Sequence, residues 1–287
     1  MKILIVGVGA LGGVIGARLV ARGRDVIFAA RDPSQLAQIR VTGVGGDATI
    51  TPDVRTLDRC DRYDVAVIAT KADDALAVAG QLHGTIVPIQ NGAVSQLLAE
   101  RYGDRVIGGL SHLGATMHSP GHYEQKNAGK LLIGELAGGM SPRVQQLGEL
   151  IDANTTPNML AAIWTKLIIN CSVTTLGAIA GMPMRDYITD HRSLFDRVHA
   201  ETLAIARAQH IAPETFPIDE LLAKYGQLQP SMLQDFTRGR PTEIAYINGY
   251  VATLGAAPLN ARIVDIVRAI ERGALTPSPA NLETLSR

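Results

Sequence analysis

Through the first hundred residues, short unbroken apolar runs alternate with segments of helical period. KILIV (residues 2–6), DVIFA (25–29), YDVAVIAT (63–70) and TIVPIQ (85–90) are rich in β-branched residues and of strand length. Between and after them, GVIGARLVARG (13–23), ADDALAVA (72–79) and VSQLLAERY (94–102) carry helical periodicity, the first ending at Gly23. Strand and helix in alternation predict a parallel sheet. After residue 105 the pattern changes: VIGGLSHLGATMHS, PGHYEQ and KLLIGE are short extended runs parted by Pro-Gly and Asn-Ala-Gly, which predicts antiparallel strands closing the sheet edge. SPRVQQLGELIDA (141–153) reads as one more helix. From about Met159 the chain is almost wholly helical, punctuated at Gly181-Met182-Pro183, Ala212-Pro213, Gln229-Pro230, Gly239-Arg240-Pro241 and Ala257-Pro258. The change of class near residue 155 separates an N-terminal domain of residues 1–155 from a helical domain of 156–287.

Composition narrows the partners. The chain has 287 residues, 46% hydrophobic and 19% charged, with 27 basic and 27 acidic side chains. No basic cluster breaks the mixture, which disfavours nucleic acid. Cys60 and Cys171 show neither C-x-x-C spacing nor a zinc-type histidine grouping, so no metal is expected and a reducing, cytoplasmic setting is. The uncharged segment of residues 3–17 holds five glycines and falls short of the roughly 18 apolar residues of a membrane helix, so no membrane association is expected.

That glycine-rich segment carries the first chemistry. Strand KILIV runs at once into Gly7-Val8-Gly9-Ala10-Leu11-Gly12 and then into a helix, with a second strand following at the expected distance. In a dinucleotide-binding turn Gly7 makes the tight bend, Gly9 lets a pyrophosphate approach the backbone, and Gly12 lets the helix pack on the strand, with the phosphate at the helix N-terminus. A glycine turn of another α/β enzyme, such as a methyltransferase, is the alternative. The second strand ends in Ala29-Ala30-Arg31, where an NAD-binding unit usually places an acid. Arg31 suits the 2′-phosphate of NADP through paired hydrogen bonds, unless it is solvated and Asp32 takes the ribose of NAD. Lys71 and Asn91 stand beyond the third and fourth of these strands, where ligands of open parallel sheets sit; a surface lysine and an Asn-Gly turn are the plain readings.

Within the helical domain, WTKLIINCSVT (164–174) places Lys166, Asn170 and Thr174 every four residues along an otherwise apolar run. Such a polar line makes sense where a helix lines a cleft over a nicotinamide. Lys166 can polarise a carbonyl and donate a proton to it, Asn170 can hydrogen-bond substrate, and Glu243 is the candidate partner of the lysine. In the segment 230–250, Ser231 follows a proline at a helix start, and Thr242-Glu243-Ile244 opens another helix. Ordinary capping explains Ser231 and Thr242 equally well, and Asp235 with Arg238 reads as a surface pair.

The order of these motifs resembles the ketopantoate reductases, also called 2-dehydropantoate 2-reductases. GVGALG, Arg31, ATK ending at Lys71, PIQNG (88–92), SPGHYE, W-T-K-x-x-x-N (164–170) and S-M-L-Q-D-x-x-x-G-R-x-T-E-I (231–244) span nearly the whole chain. The resemblance implies an N-terminal Rossmann domain followed by an all-α domain, and NADPH-dependent reduction of 2-dehydropantoate to pantoate. It implies Lys166 as general acid and Glu243 as the carboxylate that holds the lysine or the substrate hydroxyl. Lys71, Asn91, Asn170, Thr174 and Ser231 would bind the 2-oxo acid. Gly7, Gly9, Ala10, Leu11, Gly12, Arg31, Lys71, Asn91 and Glu243 would hold NADP(H). One position departs: the lysine helix of that family often carries a second asparagine one turn beyond the first, and this chain has Thr174 there. Threonine lacks the amide's two donors and its reach, so a different 2-oxo acid is the alternative substrate. A regulatory NADPH-binding protein would have little reason to keep Lys166, Asn170, Ser231 and Glu243 together. A homodimer is a further expectation, with the apolar helix near Ile263–Ile270 read either as its interface or as core.

Overall fold

The computed structural model describes residues 1–286. It divides into two compact units, one of residues 1–90 and 94–160, the other of residues 91–93 and the chain from 161 onward.

The first unit contains, in chain order, β1 (Lys2–Val6), α1 (Ala10–Ala21), β2 (Asp25–Ala29), β3 (Ile39–Gly43), β4 (Ala48–Ile50), β5 (Asp53–Arg55), β6 (Val65–Ile68), α2 (Ala72–Val78), β7 (Thr85–Pro88) and α3 (Val94–Tyr102). Then follow β8 (Gly108–Ser111), β9 (Ala115–Ser119), β10 (His122–Gln125), β11 (Leu131–Gly134), α4 (Pro142–Ile151) and β12 (Asn154–Thr155). Five strands form a parallel sheet in the order β5-β2-β1-β6-β7. The apolar runs are continuous because these strands are covered on both faces: Ile3 to Ile5 and Val65 to Ile68 have no exposed surface. The strand order reverses between β1 and β6, which is where an open sheet of this kind leaves a crevice at its carboxyl edge.

The strands after residue 105 do not simply close that edge. β9 and β10 join β3 and β4 in a separate sheet of order β4-β3-β10-β9, packed on α1. β10 buries Tyr123 and Gln125 and leaves His122 and Glu124 half-covered, the alternation of a sheet with one packed face. β8, β11 and β12 form a third sheet, and this arm meets β7 through a single bridge between Ile86 and Val106. Strands β3 to β5 had no clear sequence signature, being short and of mixed polar and apolar residues with partly exposed positions.

The second unit is helical: α5 (Met159–Ile169), whose first two residues belong to the first unit, then α6 (Thr175–Ala180), α7 (Met184–Ala208), α8 (Ile218–Tyr225), α9 (Ser231–Thr237), α10 (Asn248–Thr253), α11 (Pro258–Glu271) and α12 (Ala280–Ser286). The proline and glycine breaks read from the sequence fall between elements or, for Pro258, at the first position of a helix. One prediction is altered in kind: between α5 and α6 the chain stays helical but opens into a π turn at Asn170–Thr174. The combined helix Met159–Ala180 is, against the expectation that no segment would be, long and apolar enough to cross a bilayer, yet 67% of its apolar window is buried inside the fold. The apolar helix near Ile263–Ile270 is core: Ile263, Val264, Val267 and Ile270 of α11 are all buried among the neighbouring helices, which removes it as a docking face.

Candidate functional site

In the first unit the glycine turn joins β1 to α1 at the carboxyl edge of the sheet. Gly7 has φ +92°, a left-handed conformation that a side chain would strain, and its amide donates to Ala29 O at 3.1 Å, tying the turn to the end of β2. A Cβ on Gly12 would stand 2.0 Å from the carbonyl oxygen of Gly7 and 3.1 Å from Ala69 Cβ, whereas one on Gly9 would meet nothing within 4 Å. The bend is therefore closed on its inner side and open over Gly9. The first turn of α1 has no acidic residue and no side-chain cap, so the amides of Ala10, Leu11 and Gly12 are left for an anion. An open backbone, unfilled donors and the positive end of the helix macrodipole fit a pyrophosphate.

Two residues that sequence reasoning gave no role hold this turn. The Tyr123 hydroxyl donates to Val8 O at 2.7 Å, and its ring packs so closely on α1 that a Cβ on Gly13 would come within 2.5 Å of it. Gln90 donates through Nε2 to Ile68 O at 2.8 Å and Thr70 O at 2.9 Å, bracing the carboxyl end of β6. Both lie in motifs already singled out, SPGHYE and PIQNG, but only the fold shows what they reach.

Arg31 is exposed beyond β2 and has no ion-pair partner among the described residues. Asp32, the competing ribose ligand, is otherwise engaged. Its carboxylate accepts from Ser34 N at 3.1 Å, Ser34 Oγ at 2.5 Å and Gln35 Nε2 at 2.7 Å, capping a short 3-10 turn, and these bonds hold its pKa below the usual carboxylate range. Lys71 is exposed at the N-cap of α2.

The second unit gathers the other candidates. Asn91 to Ala93 cluster here: Ala93 N donates to Tyr246 O at 3.0 Å, and Gly92, at φ +77°, passes so close to Tyr246 that a Cβ would lie 2.1 Å from its carbonyl oxygen. Asn91 thus sits beside the turn that follows Glu243. Thr242-Glu243-Ile244 leads into a 3-10 turn rather than an α-helix, with Glu243 at its N-cap position; one residue earlier, Thr242 Oγ1 accepts from Ile244 N at 3.3 Å and donates to Glu271 Oε1 at 2.7 Å. Ser231 is the exposed first residue of α9 and makes no capping bond, so the capping explanation holds for Thr242 and not for Ser231. Asp235 is buried and faces Arg240, at 4.0 Å, instead of forming a surface pair with Arg238.

Lys166 lies in the last turn of α5. Burial pushes its ammonium down to about 8, and the carboxylate of Glu243 acts against that shift. Asn170, only 7% exposed, has an Nδ2 with no hydrogen-bond partner among the described residues, while its Oδ1 accepts from Thr174 Oγ1 at 3.4 Å. Leaving a buried amide donor unmet costs about 1–3 kcal/mol, a cost that a bound acceptor would remove. A proton held near neutrality one helical turn from an unmatched donor can serve a carbonyl that gains charge.

Comparison with known proteins agrees with both halves. Residues 3–138 match the family described as ketopantoate reductase PanE/ApbA, and residues 158–271 match its C-terminal domain. A 2-dehydropantoate 2-reductase from Archaeoglobus fulgidus is 26% identical over 292 residues, covering 95% of this chain and 98% of that protein. The crystal structure of a PanE/ApbA family ketopantoate reductase from Ralstonia eutropha JMP134 superposes with a TM-score of 0.86 at 24% identity, covering 95% of this chain and 99% of the other. The same fold occurs in the ternary structure of D-mandelate dehydrogenase with NADH and anilino(oxo)acetate, at a TM-score of 0.82 and 20% identity over 95% of this chain and 99% of that one.

Proposed function

The chain belongs to the ketopantoate reductase family, and from that premise we propose that it uses NADPH to reduce 2-dehydropantoate to pantoate, a step toward pantothenate and coenzyme A. The observation that carries this reading is Lys166, half-buried in the field of the Glu243 carboxylate with its pKa drawn down to about 8, and followed one turn later by the unmatched donor of Asn170. The dinucleotide, when bound, supplies a hydride. Lys166 holds a proton at Nζ and delivers it to the oxygen of the former carbonyl, and Glu243 keeps the lysine charged until that moment. Asn170 donates through Nδ2 to the substrate, with Asn91, Ser231 and Thr174 of the same unit completing the grip on the 2-oxo acid. Steady-state oxidation of NADPH and NADH against 2-dehydropantoate and a panel of 2-oxo acids tests this directly. Turnover of 2-dehydropantoate with NADPH is expected, and no turnover of any 2-oxo acid would sink the enzymatic reading.

The preference for NADPH is supported by Arg31, exposed and without an ion-pair partner among the described residues, and by Asp32, whose carboxylate is committed to Ser34 and Gln35. Replacing Arg31 by Ala is expected to weaken NADPH binding by about tenfold or more, with NADH affinity nearly unchanged, because only the former carries a 2′-phosphate. Titrations followed by cofactor fluorescence would report both constants. Equal weakening of the two would mean that Arg31 does not read the phosphate.

A second reading, reduction of a different 2-oxo acid, is favoured by Thr174. Its single hydroxyl lies 3.4 Å from Asn170 Oδ1 and offers a substrate at most one donor where an asparagine amide would offer two. The same panel separates the two: a higher kcat/KM for a 2-oxo acid lacking the hydroxyl of 2-dehydropantoate would favour the second.

A further inference from the structure

Residues at i, i+4 and i+8 of an α-helix drift by about 40° per step around the axis, so Lys166, Asn170 and Thr174 would not keep one line in a regular helix. The π turn at Asn170–Thr174, closed by Thr175 N to Asn170 O, turns less per residue and cancels the drift. Within the turn Thr174 Oγ1 lies 3.4 Å from Asn170 Oδ1.

A π turn takes carbonyls away from their α-helical partners, and here side chains take them up. Asn248 Nδ2 donates to Cys171 O at 3.3 Å. The Tyr187 hydroxyl lies 3.3 Å from Ser172 O and 3.1 Å from Val173 O. Thr175 Oγ1 lies 2.9 Å from both Asn170 O and Asn248 Oδ1, so its one proton is shared between the turn and Asn248. The orientation of the Asn248 amide is determined by its neighbours. Its Nδ2 faces two acceptors, Cys171 O and, at 2.9 Å, Asn260 Oδ1; turning it over would set oxygen against oxygen. Asn260 is fixed in turn by donating to Glu201 Oε1 at 2.9 Å, and that carboxylate also accepts from the amides of Leu259 and Asn260 at the start of α11. Asn248, Asn260 and Thr175 have no exposed surface. Apolar side chains could fill this space without desolvating amides, whereas a fully matched polar chain fixes one backbone geometry.

We propose that Asn248 is a positioning residue for Asn170: anchored through Asn260 and Glu201, it holds the π turn that aims the Asn170 amide and keeps it in line with Lys166. The proposal rests on the reading of Asn170 as a substrate contact. A double-mutant cycle tests it on the full-length enzyme, with KM for 2-dehydropantoate, kcat, and dinucleotide affinity by fluorescence as readouts. Asn248→Ala is expected to raise KM at least about tenfold with dinucleotide affinity unchanged, and to raise it less than about twofold further in an Asn170→Ala background. Independent, multiplicative effects of the two changes, or an unaltered KM in Asn248→Ala, would overturn the proposal. If Asn170→Ala alone leaves KM unchanged, the substrate role of Asn170 fails and the positioning role with it. That result is distinct from the case in which Asn170 matters and Asn248 acts separately. Should Asn248→Ala fail to fold, Thr175→Val, which removes the shared hydroxyl at nearly constant volume, takes its place in the same cycle with the same outcomes.

Discussion

Replacing Lys166 by Ala is expected to lower turnover at least about a hundredfold, equivalent to about 2.7 kcal/mol of transition-state stabilisation, while leaving dinucleotide affinity nearly unchanged. The size follows from the role: without Nζ the oxygen that receives negative charge has neither a cation beside it nor a proton to take. The titration of this group adds a second signature. With the lysine pKa pushed down from 10.5 to about 8, kcat/KM for the 2-oxo acid in the direction of reduction should fall about tenfold per pH unit above pH 8, as the proton donor is lost. The effect on stability has the opposite sign. Between about 8 and 10.5 the unfolded chain binds a proton at this lysine that the folded chain does not, so stability contributed by this group rises with pH over that window. A loss of activity there, with thermal unfolding monitored in parallel and no destabilisation seen, would assign the limb to proton donation. Collapse of dinucleotide affinity in Lys166→Ala would instead make the lysine a cofactor ligand.

The legible parts of this chain were those in which a local pattern has one structural meaning. The runs 2–6, 25–29, 63–70 and 85–90 are continuous because both faces of a central parallel strand are covered, and all four became strands of one sheet. Proline and glycine breaks in the helical half were equally plain, since proline cannot continue a helix. Strands β3, β4 and β5 were not legible, because IRVTG, ATI and DVR are short and interrupt their apolar positions with charged or polar ones, unlike the unbroken apolar runs of β1, β2, β6 and β7. The destination of β9 and β10 was misread for a related reason: alternation identifies a strand with one packed face but not which sheet it joins. In the candidate site, the spacing of Lys166, Asn170 and Thr174 revealed the polar line, yet the same string is compatible with an α-helix and with a π turn. What selects the π turn is Asn248, Tyr187 and Thr175, and Asn248 reaches Thr175 across 73 residues of sequence. Distant partners of this kind leave no periodic trace.

The glycine turn separates two effects that a single substitution usually mixes. In Gly12→Ala the new methyl would lie 2.0 Å from the carbonyl oxygen of Gly7, a backbone atom that can yield only if the turn itself moves. Gly7 is already at φ +92°, with its amide bonded to Ala29 O, so the strain passes into β1 and β2. Overpacking of this sort costs about 1–3 kcal/mol, and it displaces the amides at the start of α1 that an anion would use. Gly12→Ala should therefore lower the melting temperature by several degrees and weaken dinucleotide binding by at least about a hundredfold. Gly9→Ala is the counterpart. Its methyl would meet nothing within 4 Å, so the free protein should melt as the parent does. If a pyrophosphate lies against that open backbone, the methyl occupies its place and affinity should fall at least about tenfold. Calorimetric melting and fluorescence titration of the two variants side by side distinguish packing from contact. Unaltered dinucleotide affinity in Gly9→Ala would move the pyrophosphate away from this turn, whatever Gly12→Ala did to the fold.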